Sequence, residues 1–368
     1  MFYREAGQFK TTYAEDQRLF PIRQDRIGIA ILLALAFVGV PLAAAMPATA
    51  GLIDFNYWFS GVLIPFLIFS LAALGLNVLT GYAGQISLGA AAFMAVGAFA
   101  AYNFELRVPG MPMLASFALA GVVAALIGMV FGLPSLRIKG FYLAVATLAA
   151  QFFVVWVLTK FAWFSNYSSS GVITAQKLVM FGYAFDTPVK RYLLVLAIVS
   201  LMALAAKNMA RGAIGRAWMA VRDMDVAAEV IGIPMMKTKL LAFAISSFYC
   251  GVAGALYAFA YLGTVEPAAF ELDLSFRILF MIIIGGVGSI LGSFLGAGFI
   301  VMLPIFLDLS AASIERSFGL ALPAGLVSNL TLILFGALIV FFLVVEPNGL
   351  ARLWQIAKEK LRLWPFPH

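Results

Sequence analysis

The sequence has almost none of the residues on which metal sites and nucleophilic catalysis usually depend. Its 368 residues include one cysteine, Cys250, and one histidine, His368. One cysteine cannot form a disulfide within the chain or a thiolate metal site. The G-x-x-x-x-G-K-[ST] loop that cradles ATP phosphates is also missing. We therefore expect no catalytic residue, no metal site and no cofactor bound by this chain.

Charged residues are scarce as well. They make up 11% of the chain, against roughly 25% in soluble proteins, while 64% of the residues are hydrophobic. A soluble core cannot absorb that much apolar surface, so the composition predicts an all-α, polytopic integral membrane protein. The net charge is +7, and the positive residues lie in short segments between apolar runs. That distribution is typical of membrane topology rather than of a nucleic-acid-binding face.

Long apolar runs divide the chain into nine blocks: 27–50, 58–79, 84–102, 113–132, 141–160, 191–208, 239–262, 276–304 and 323–345. The block 276–304 is long for one span of roughly 20 residues and is interrupted by Gly285, Gly286 and Gly288. We expect it to form two short helices. That gives about 10 transmembrane helices, broken or short at the Gly-rich segments, with both termini in the cytoplasm.

The charge distribution supports this topology. The segments expected inside the cell carry an excess of Lys and Arg over Asp and Glu; they are 1–26, 133–140, 207–238 and 346–368. The sequence thus predicts a cytoplasmic N-terminal segment (1–26), a transmembrane domain (27–345) with a cytoplasmic loop (209–238), and a cytoplasmic amphipathic tail (346–368). Residues 161–190 are expected to form an ordered outer loop or an interfacial helix.

One stretch inside the apolar runs is unlike lipid-facing sequence. It reads Gly81-Tyr-Ala-Gly-Gln-Ile-Ser-Leu-Gly89, and Gly285-Gly-Val-Gly-Ser-Ile-Leu-Gly292 echoes it. Irregular or polar backbone at membrane depth is tolerated only where protein buries it or water reaches it. We expect the two stretches to border a weakly polar pathway, for which the candidate residues are Asn77, Thr80, Gly81, Gly84, Gln85, Ser87, Gly89, Gly285, Gly286, Gly288, Ser289, Gly292 and Ser293. Helix packing for the glycines, and interhelical hydrogen bonds for the polar side chains, are the alternatives.

The loop 209–238 has a helical pattern of its own. Helix formers run from 217 to 231, after which Gly232 and Pro234 end the helix. Apolar residues (Trp218, Val221, Ala228 and Ile231) recur at helical spacing, and charged residues (Arg222, Asp225 and Glu229) take another face. The apolar side needs a partner, which is either the lipid headgroups or a groove on a cytoplasmic protein.

Three segments resemble the permeases of branched-chain amino acid ABC transporters of the LivM type. They are 75–89, 216–258 and 285–296, and their occurrence in this order is specific. The resemblance covers roughly residues 60–350. In that family Gly89 is commonly followed by histidine; Ala90 stands here, so no role for an imidazole at that place carries over.

The resemblance implies a transport subunit of the bacterial inner membrane rather than an enzyme. It implies a second, related permease subunit, two cytoplasmic ATP-binding subunits that carry the ATP, and a periplasmic substrate-binding protein. It also makes the 217–231 helix the contact with the ATPase, for which the candidate residues are Arg216, Trp218, Arg222, Asp225, Glu229 and Gly232. Relatives that handle urea, amides or aromatic acids, and a secondary transporter with inverted repeats, remain the alternatives. No carboxylate or lysine is evident in mid-span, which argues against a proton-coupled carrier.

Overall fold

The structure is a computed structural model, and it describes residues 12, 23–45, 54–136, 141–168, 171–176, 178–180, 182–318, 325–346 and 348–363. Most of the predicted N-terminal segment 1–26, and the tail beyond residue 363, lie outside these residues. The fold is almost entirely helical. Its few strands are two residues long and lie in the connections between helices.

The described residues of the first half form five long helices. Helix α1 runs from Arg23 to Ala45 and α2 from Phe55 to Tyr82, each with π-helical turns; α3 is Ala90–Arg107, α4 is Met113–Gly132 and α5 is Phe141–Lys160. Three strands follow: β1 (Ile173–Thr174), β2 (Val179–Met180) and β3 (Tyr183–Ala184). Strand β2 pairs with β3, so this part of the predicted outer segment is a loop with a hairpin and not a helix.

The second half begins with α6 (Pro188–Arg211), which is followed by two short helices, α7 (Ala213–Asp223) and α8 (Asp225–Val230). Helix α9 runs from Met235 to Leu262 and leads to β4 (Thr264–Val265), which pairs antiparallel with β1. The remaining helices are α10 (Leu272–Gly285), α11 (Ile290–Phe318), α12 (Leu326–Val345) and α13 (Gly349–Leu363).

The predicted polytopic helical membrane protein is confirmed at this level. Among the described residues seven helices are long and apolar enough to cross a membrane, and α12 with α13, bent by 56°, form an eighth candidate when taken together. Helix α9 lies at the centre and packs against α2, α3 and α4. Its glycines allow this close approach: a Cβ on Gly251 would lie 2.5 Å from the Ala124 Cβ, and one on Gly254 would overlap the backbone of Met94.

The long run 276–304 is divided as predicted, but unevenly. Helix α10 ends at Gly285, and Gly286 and Gly288 have positive φ angles of 118° and 80°, which only glycine adopts without strain. The chain then reverses direction, so that Gly285 faces Gly292 and Met281 faces Gly296. The expectation of two short helices is wrong for the second one, since α11 has 29 residues.

Two other predicted helices differ from the structure. The apolar run 84–102 becomes helical only at Ala90, because Gly84 has a φ of 69° and the chain stays irregular through Gly89 (φ −105°, ψ 18°). The single helix predicted over 217–231 is two helices, which meet at Met224 (φ −158°, ψ 93°). Arg222 in the last turn of α7 and Asp225 in the first turn of α8 each suit the dipole of a helix end.

Candidate functional site at the paired glycine breaks

The two interruptions predicted from the glycines lie against each other. We call residues 83–89, between α2 and α3, the first break, and residues 286–289, between α10 and α11, the second break. Gly81, at the end of α2, touches the second break: a Cβ there would overlap Asn77 Oδ1 and the Gly288 nitrogen, and would lie 2.7 Å from Gly288 Cα. Only glycine therefore permits this contact.

Asn77, near the end of α2, holds that helix to the second break. Its Nδ2 donates to the Ser289 carbonyl at 2.8 Å and to Ser293 Oγ at 2.9 Å, and its Oδ1 accepts from the Gly288 N–H at 2.7 Å. The side chain is fully buried. Four of the candidate pathway residues, Asn77, Gly288, Ser289 and Ser293, thus form a hydrogen-bond network between α2 and the start of α11.

The other glycines of the second break serve close packing. Gly285 and Gly292 lie backbone to backbone, and a Cβ on Gly286 would be 2.5 Å from the Asn348 carbonyl, just before α13. Ser289 Oγ accepts from the Gly292 N–H at 3.1 Å, which caps the start of α11. The second break therefore also contacts the C-terminal helix.

Arg222 connects the short helices to the first break. Its Nη1 donates to the Gly81 carbonyl at 2.8 Å, and its Nε pairs with Asp223 at 2.8 Å. A Cβ on Gly84 would lie 2.7 Å from Arg222 Cγ, so this glycine also makes room for the arginine. A residue predicted for ATPase contact and two predicted for the pathway are in direct contact here.

The apolar side of α7 is covered by the chain itself, which neither predicted alternative foresaw. Trp218 is 1% exposed and donates from Nε1 to the Thr238 carbonyl at 3.1 Å, at the start of α9. Val221 is buried too, and the cluster around Trp218 comprises Val78, Leu79, Ala83, Leu143, Ala242 and Phe243. Trp218 anchors α7 to the membrane helices, so it is not on the surface that a partner would meet.

The outer surface of α8 and of the residues flanking it is not covered by any residue that the structure describes. It carries four exposed apolar side chains: Met224, Val226, Val230 and Ile231. Glu229 is exposed beside them, and so is Gly232, whose φ of 89° ends the turn after α8. Asp225 is half-buried, and Arg216 is exposed and bonds the Arg211 carbonyl at 3.0 Å. Ile231 was predicted to share the buried face with Trp218, but it points outward, because the chain bends at Met224.

The far end of the first break reaches the middle of a span. The first turn of α3 leaves N–H groups without partners in its own helix, and side chains from elsewhere accept from them. Gln151 Oε1 accepts from Ala92 at 2.6 Å and Ser275 Oγ accepts from Ala91 at 2.9 Å, while Thr147 Oγ1 accepts from the preceding Leu88 at 2.9 Å.

The position of Gln151 within α5 shows where the start of α3 lies along the membrane spans. It is the eleventh of the 20 residues of α5, so α3 begins level with the centre of that span. Its Nε2 also donates to the Phe270 carbonyl at 2.8 Å, in the connection between α9 and α10. Sequence reasoning missed Thr147, Gln151 and Ser275. Their signal was present, since Thr147 and Gln151 are lone polar residues inside the apolar run 141–160 and Ser275 borders the run at 276.

Within the first break, side chains alternate between the protein and the exterior. Gln85 and Ser87 point inward and are buried, whereas Gly84 and Ile86 are exposed. Ser87 Oγ accepts from the Gly89 N–H at 3.3 Å, and Thr80 Oγ1 donates to the Gln85 carbonyl at 3.2 Å. The exposed side chain of this segment, Ile86, is apolar and was not among the predicted residues.

Several polar groups of the first break have no partner in the described part of the chain. They are both amide atoms of Gln85 and the backbone N–H groups of Gly84 and Ile86. Backbone polar groups cannot face lipid hydrocarbon unpaired. The exposed edge of the break thus requires water or another protein beside it.

No metal site is found in the described part of the chain. The described residues contain no group of three or more His, Cys, Asp or Glu side chains that would hold an ion.

These features define a polytopic helical membrane protein whose interrupted helices meet around an irregular segment. Residues 58–343 match the family described as branched-chain amino acid transport system / permease component, and the chain belongs to this family. The predicted family is therefore confirmed. It is a family of transport subunits, with the several apolar helices expected of a multi-pass membrane protein.

Individual relatives agree with this assignment. The high-affinity branched-chain amino acid transport system permease protein LivM of Salmonella typhimurium is 29% identical over 309 residues, which cover 77% of this chain and 68% of the relative. A probable branched-chain amino acid transport permease protein LivM of Methanocaldococcus jannaschii is 24% identical over 327 residues, 79% of this chain and 92% of the relative. No solved structure matches the chain significantly.

Proposed function

We propose that the chain is the membrane-spanning permease of an ABC importer that takes up branched-chain amino acids. It works with a second, related permease, two cytoplasmic ATP-binding subunits and a periplasmic substrate-binding protein. The substrate class rests on the names of the LivM relatives. ATP belongs to the partner subunits, and this chain performs no chemistry of its own.

The topology proposed is ten membrane helices with both termini in the cytoplasm, at the bacterial inner membrane. Ten helices have a place in it: α1 to α6 and α9 to α12, of which α3 and α10 are the short ones. Asp25, at the start of α1, pairs with Lys358 of α13 at 2.5 Å. This pair supports an even number of crossings, because it brings the two ends of the chain to one side of the bundle.

The pathway is proposed to run along the exposed edge of the first break. Unpaired N–H groups at Gly84 and Ile86 favour an aqueous or protein boundary over lipid. Ile86 gives this boundary an apolar side chain, which suits passage of an aliphatic amino acid without tight binding. Specificity then lies mainly with the substrate-binding protein.

Coupling is proposed to pass through α8 and Arg222. The exposed apolar side chains and Glu229 of α8 dock into a groove of the ATPase. Movement of α8 is transmitted through α7, which Trp218 anchors, to the Arg222–Gly81 hydrogen bond and so to the first break. The observation that carries the proposal is this hydrogen bond, since it joins the docking surface to the pathway border.

Transport in vesicles tests the function. The chain is expressed with its partner subunits, and leucine uptake is measured with ATP present, with ATP depleted, and with ion gradients collapsed. Uptake should require ATP and survive collapse of the gradients. The opposite pattern would identify a secondary transporter. Competition by valine but not by urea, acetamide or benzoate would support branched-chain amino acids as the substrate class. Strong competition by urea, acetamide or benzoate would instead assign urea, amides or aromatic acids as the substrate class.

Docking is tested separately with charge introduced on the exposed side of α8. Val230→Glu should prevent recovery of the ATP-binding subunits with the purified permease, because a carboxylate cannot enter an apolar groove without a partner. Tyr183→Glu is the matched control, since Tyr183 is similarly exposed in the β2–β3 hairpin. Equal recovery of the ATPases with both variants would refute docking at α8.

A further inference from the structure

A long apolar groove lies on the side of the bundle between α3, α4 and α5. Its volume is about 560 Å³, within the range of ordinary ligand pockets, about 300–1,000 Å³. Helix α3 forms the floor, and α4 and α5 form the walls. The floor residues recur at helical spacing: Val96, Phe99, Ala100, Asn103, Phe104 and Arg107.

The two ends of the groove differ in character. At one end Phe131 of α4 and Phe153 of α5 meet edge to face, with ring centroids 6.2 Å apart, which closes the groove. At the other end the Arg107 guanidinium lies over the Trp163 ring, 3.8 Å from its centroid. The span from Val96 to Arg107 is about 16 Å at the rise of an α-helix. The groove is thus apolar along its length and has a positively charged side chain, Arg107, at one end.

The Arg107 guanidinium is held by two hydrogen bonds, and one of its N–H groups is left without a partner in the described residues. Arg107 Nε donates to Asn103 Oδ1 at 2.9 Å and Nη2 donates to the Trp163 carbonyl at 2.8 Å. The Nη1 group has no partner among the residues that the structure describes. Lys160, at the end of α5, adds a second positive charge at the same end of the bundle. Glu105, the nearest acid in sequence, lies about 200° around α3 from Arg107, on the opposite side of the helix.

We propose that this groove binds an anionic phospholipid, with one acyl chain lying along α3 and the phosphate at Arg107. The walls open toward the surroundings of the apolar spans, where Val130 is 61% and Phe153 is 54% exposed. Hydrocarbon is therefore the solvent at the opening. An aliphatic amino acid fits poorly, because its side chain is short and its ammonium group finds no carboxylate among the lining residues.

The test uses the full chain, purified with its partners in mild detergent, and native mass spectrometry of retained phosphatidylglycerol and of phosphatidylcholine with the same acyl chains. Val123→Trp fills the groove from α4 and should lower retention of both lipids about tenfold. Val122→Trp is the matched control, because Val122 is the neighbouring, exposed residue outside the groove. If Val123→Trp does not fold, Ala100→Phe fills the same space from α3.

The charged end is tested by lipid preference. Arg107→Gln should reduce the preference for phosphatidylglycerol over phosphatidylcholine about fivefold, the effect of one basic side chain at a membrane surface, and Arg107→Lys should keep it. Lys190→Gln, at the same end of the bundle, should leave it unchanged. Equal retention in the Val123→Trp and Val122→Trp variants overturns the proposal. So does displacement of lipid by leucine, or loss of the second permease from the Val123→Trp complex, which would show that a helix of the partner occupies the groove.

Discussion

The Arg222 guanidinium donates a 2.8 Å hydrogen bond to the Gly81 carbonyl, which lies 141 residues away in sequence. The arginine belongs to a short helix outside the apolar spans, whereas the carbonyl belongs to the end of a span that turns into an irregular segment. Any displacement of α7 must therefore either carry the end of α2 with it or break this bond.

Arg222→Ala should uncouple transport from ATP hydrolysis. Removing the bond takes away the direct link between α7 and the first break, so we expect about tenfold less leucine transported per ATP hydrolysed, within the usual range of coupling energies. The ratio is measured in proteoliposomes that contain all subunits. Lys190→Ala is the control, because Lys190 is exposed at the start of α6, at the opposite end of that helix from α7. An unchanged ratio in Arg222→Ala would show that coupling takes another route.

Gly81→Ala should destabilise the chain by about 1–3 kcal/mol, as overpacking of a tight contact does. The added methyl group would overlap Asn77 and Gly288 and would force the end of α2 away from the second break. Thermal unfolding in detergent, followed by tryptophan fluorescence, gives the change. Gly336→Ala in α12 is the matched control, since a Cβ there meets nothing within 4 Å. Equal unfolding temperatures for the two variants would contradict the tight contact.

Asn77→Ala should also destabilise the chain, but for a polar reason. It leaves the part-buried Gly288 N–H without its acceptor, which costs about 1 kcal/mol, and it removes the bonds to Ser289 and Ser293. Asn77→Asp keeps the acceptor but places a negative charge against the Ser289 carbonyl, so we expect it to be worse. Asn56→Ala, at an exposed site, is the control. If Asn77→Asp unfolds at the wild-type temperature, the assigned orientation of the amide is wrong.

The ends of the membrane spans were predicted well where the neighbouring residues determine them. The runs 113–132 and 141–160 match α4 and α5 residue for residue, because continuous apolar sequence is bounded there by glycine, proline or charge. The reversal inside 276–304 was predicted from Gly285, Gly286 and Gly288, which the structure uses for positive φ angles and backbone contact.

The errors concern partners distant in sequence. The start of α3 depends on acceptors from Gln151 and Ser275, 59 and 184 residues away from the groups they cap. Trp218 was expected to face an ATPase or the lipid headgroups, and it is covered instead by the chain itself, because helical spacing says that a face needs cover but not what covers it. Whether the predicted pathway residues contact substrate stays a prediction.

Gln151→Leu should disrupt the start of α3. It leaves the Ala92 N–H and the Phe270 carbonyl without partners at the level of a span centre, where each unpaired group costs about 1–3 kcal/mol. Gln151→Glu keeps the acceptor for Ala92 and should be milder. Thermal unfolding in detergent ranks the variants. Gln355→Leu, on the exposed surface of α13, is the control, and an order in which Gln151→Glu is the more damaging variant would contradict the capping role.

Ile86→Cys should react with a charged, membrane-impermeant methanethiosulfonate reagent. The chain provides a clean background, because its one cysteine, Cys250, is buried and is replaced by alanine. Ile86 lies on the exposed edge of the first break, whereas the adjacent Gln85 points inward. In the assembled transporter we therefore expect modification at Ile86→Cys and little at Gln85→Cys, as judged by mass spectrometry.

Such a reagent needs water to reach the thiol, so the result separates an aqueous pathway from lipid or a tight protein contact. The rate should also change when a non-hydrolysable ATP analogue closes the partner subunits. Modification only by lipid-soluble maleimides, at a rate that nucleotide leaves unchanged, would place this edge against hydrocarbon and remove the first break from the pathway.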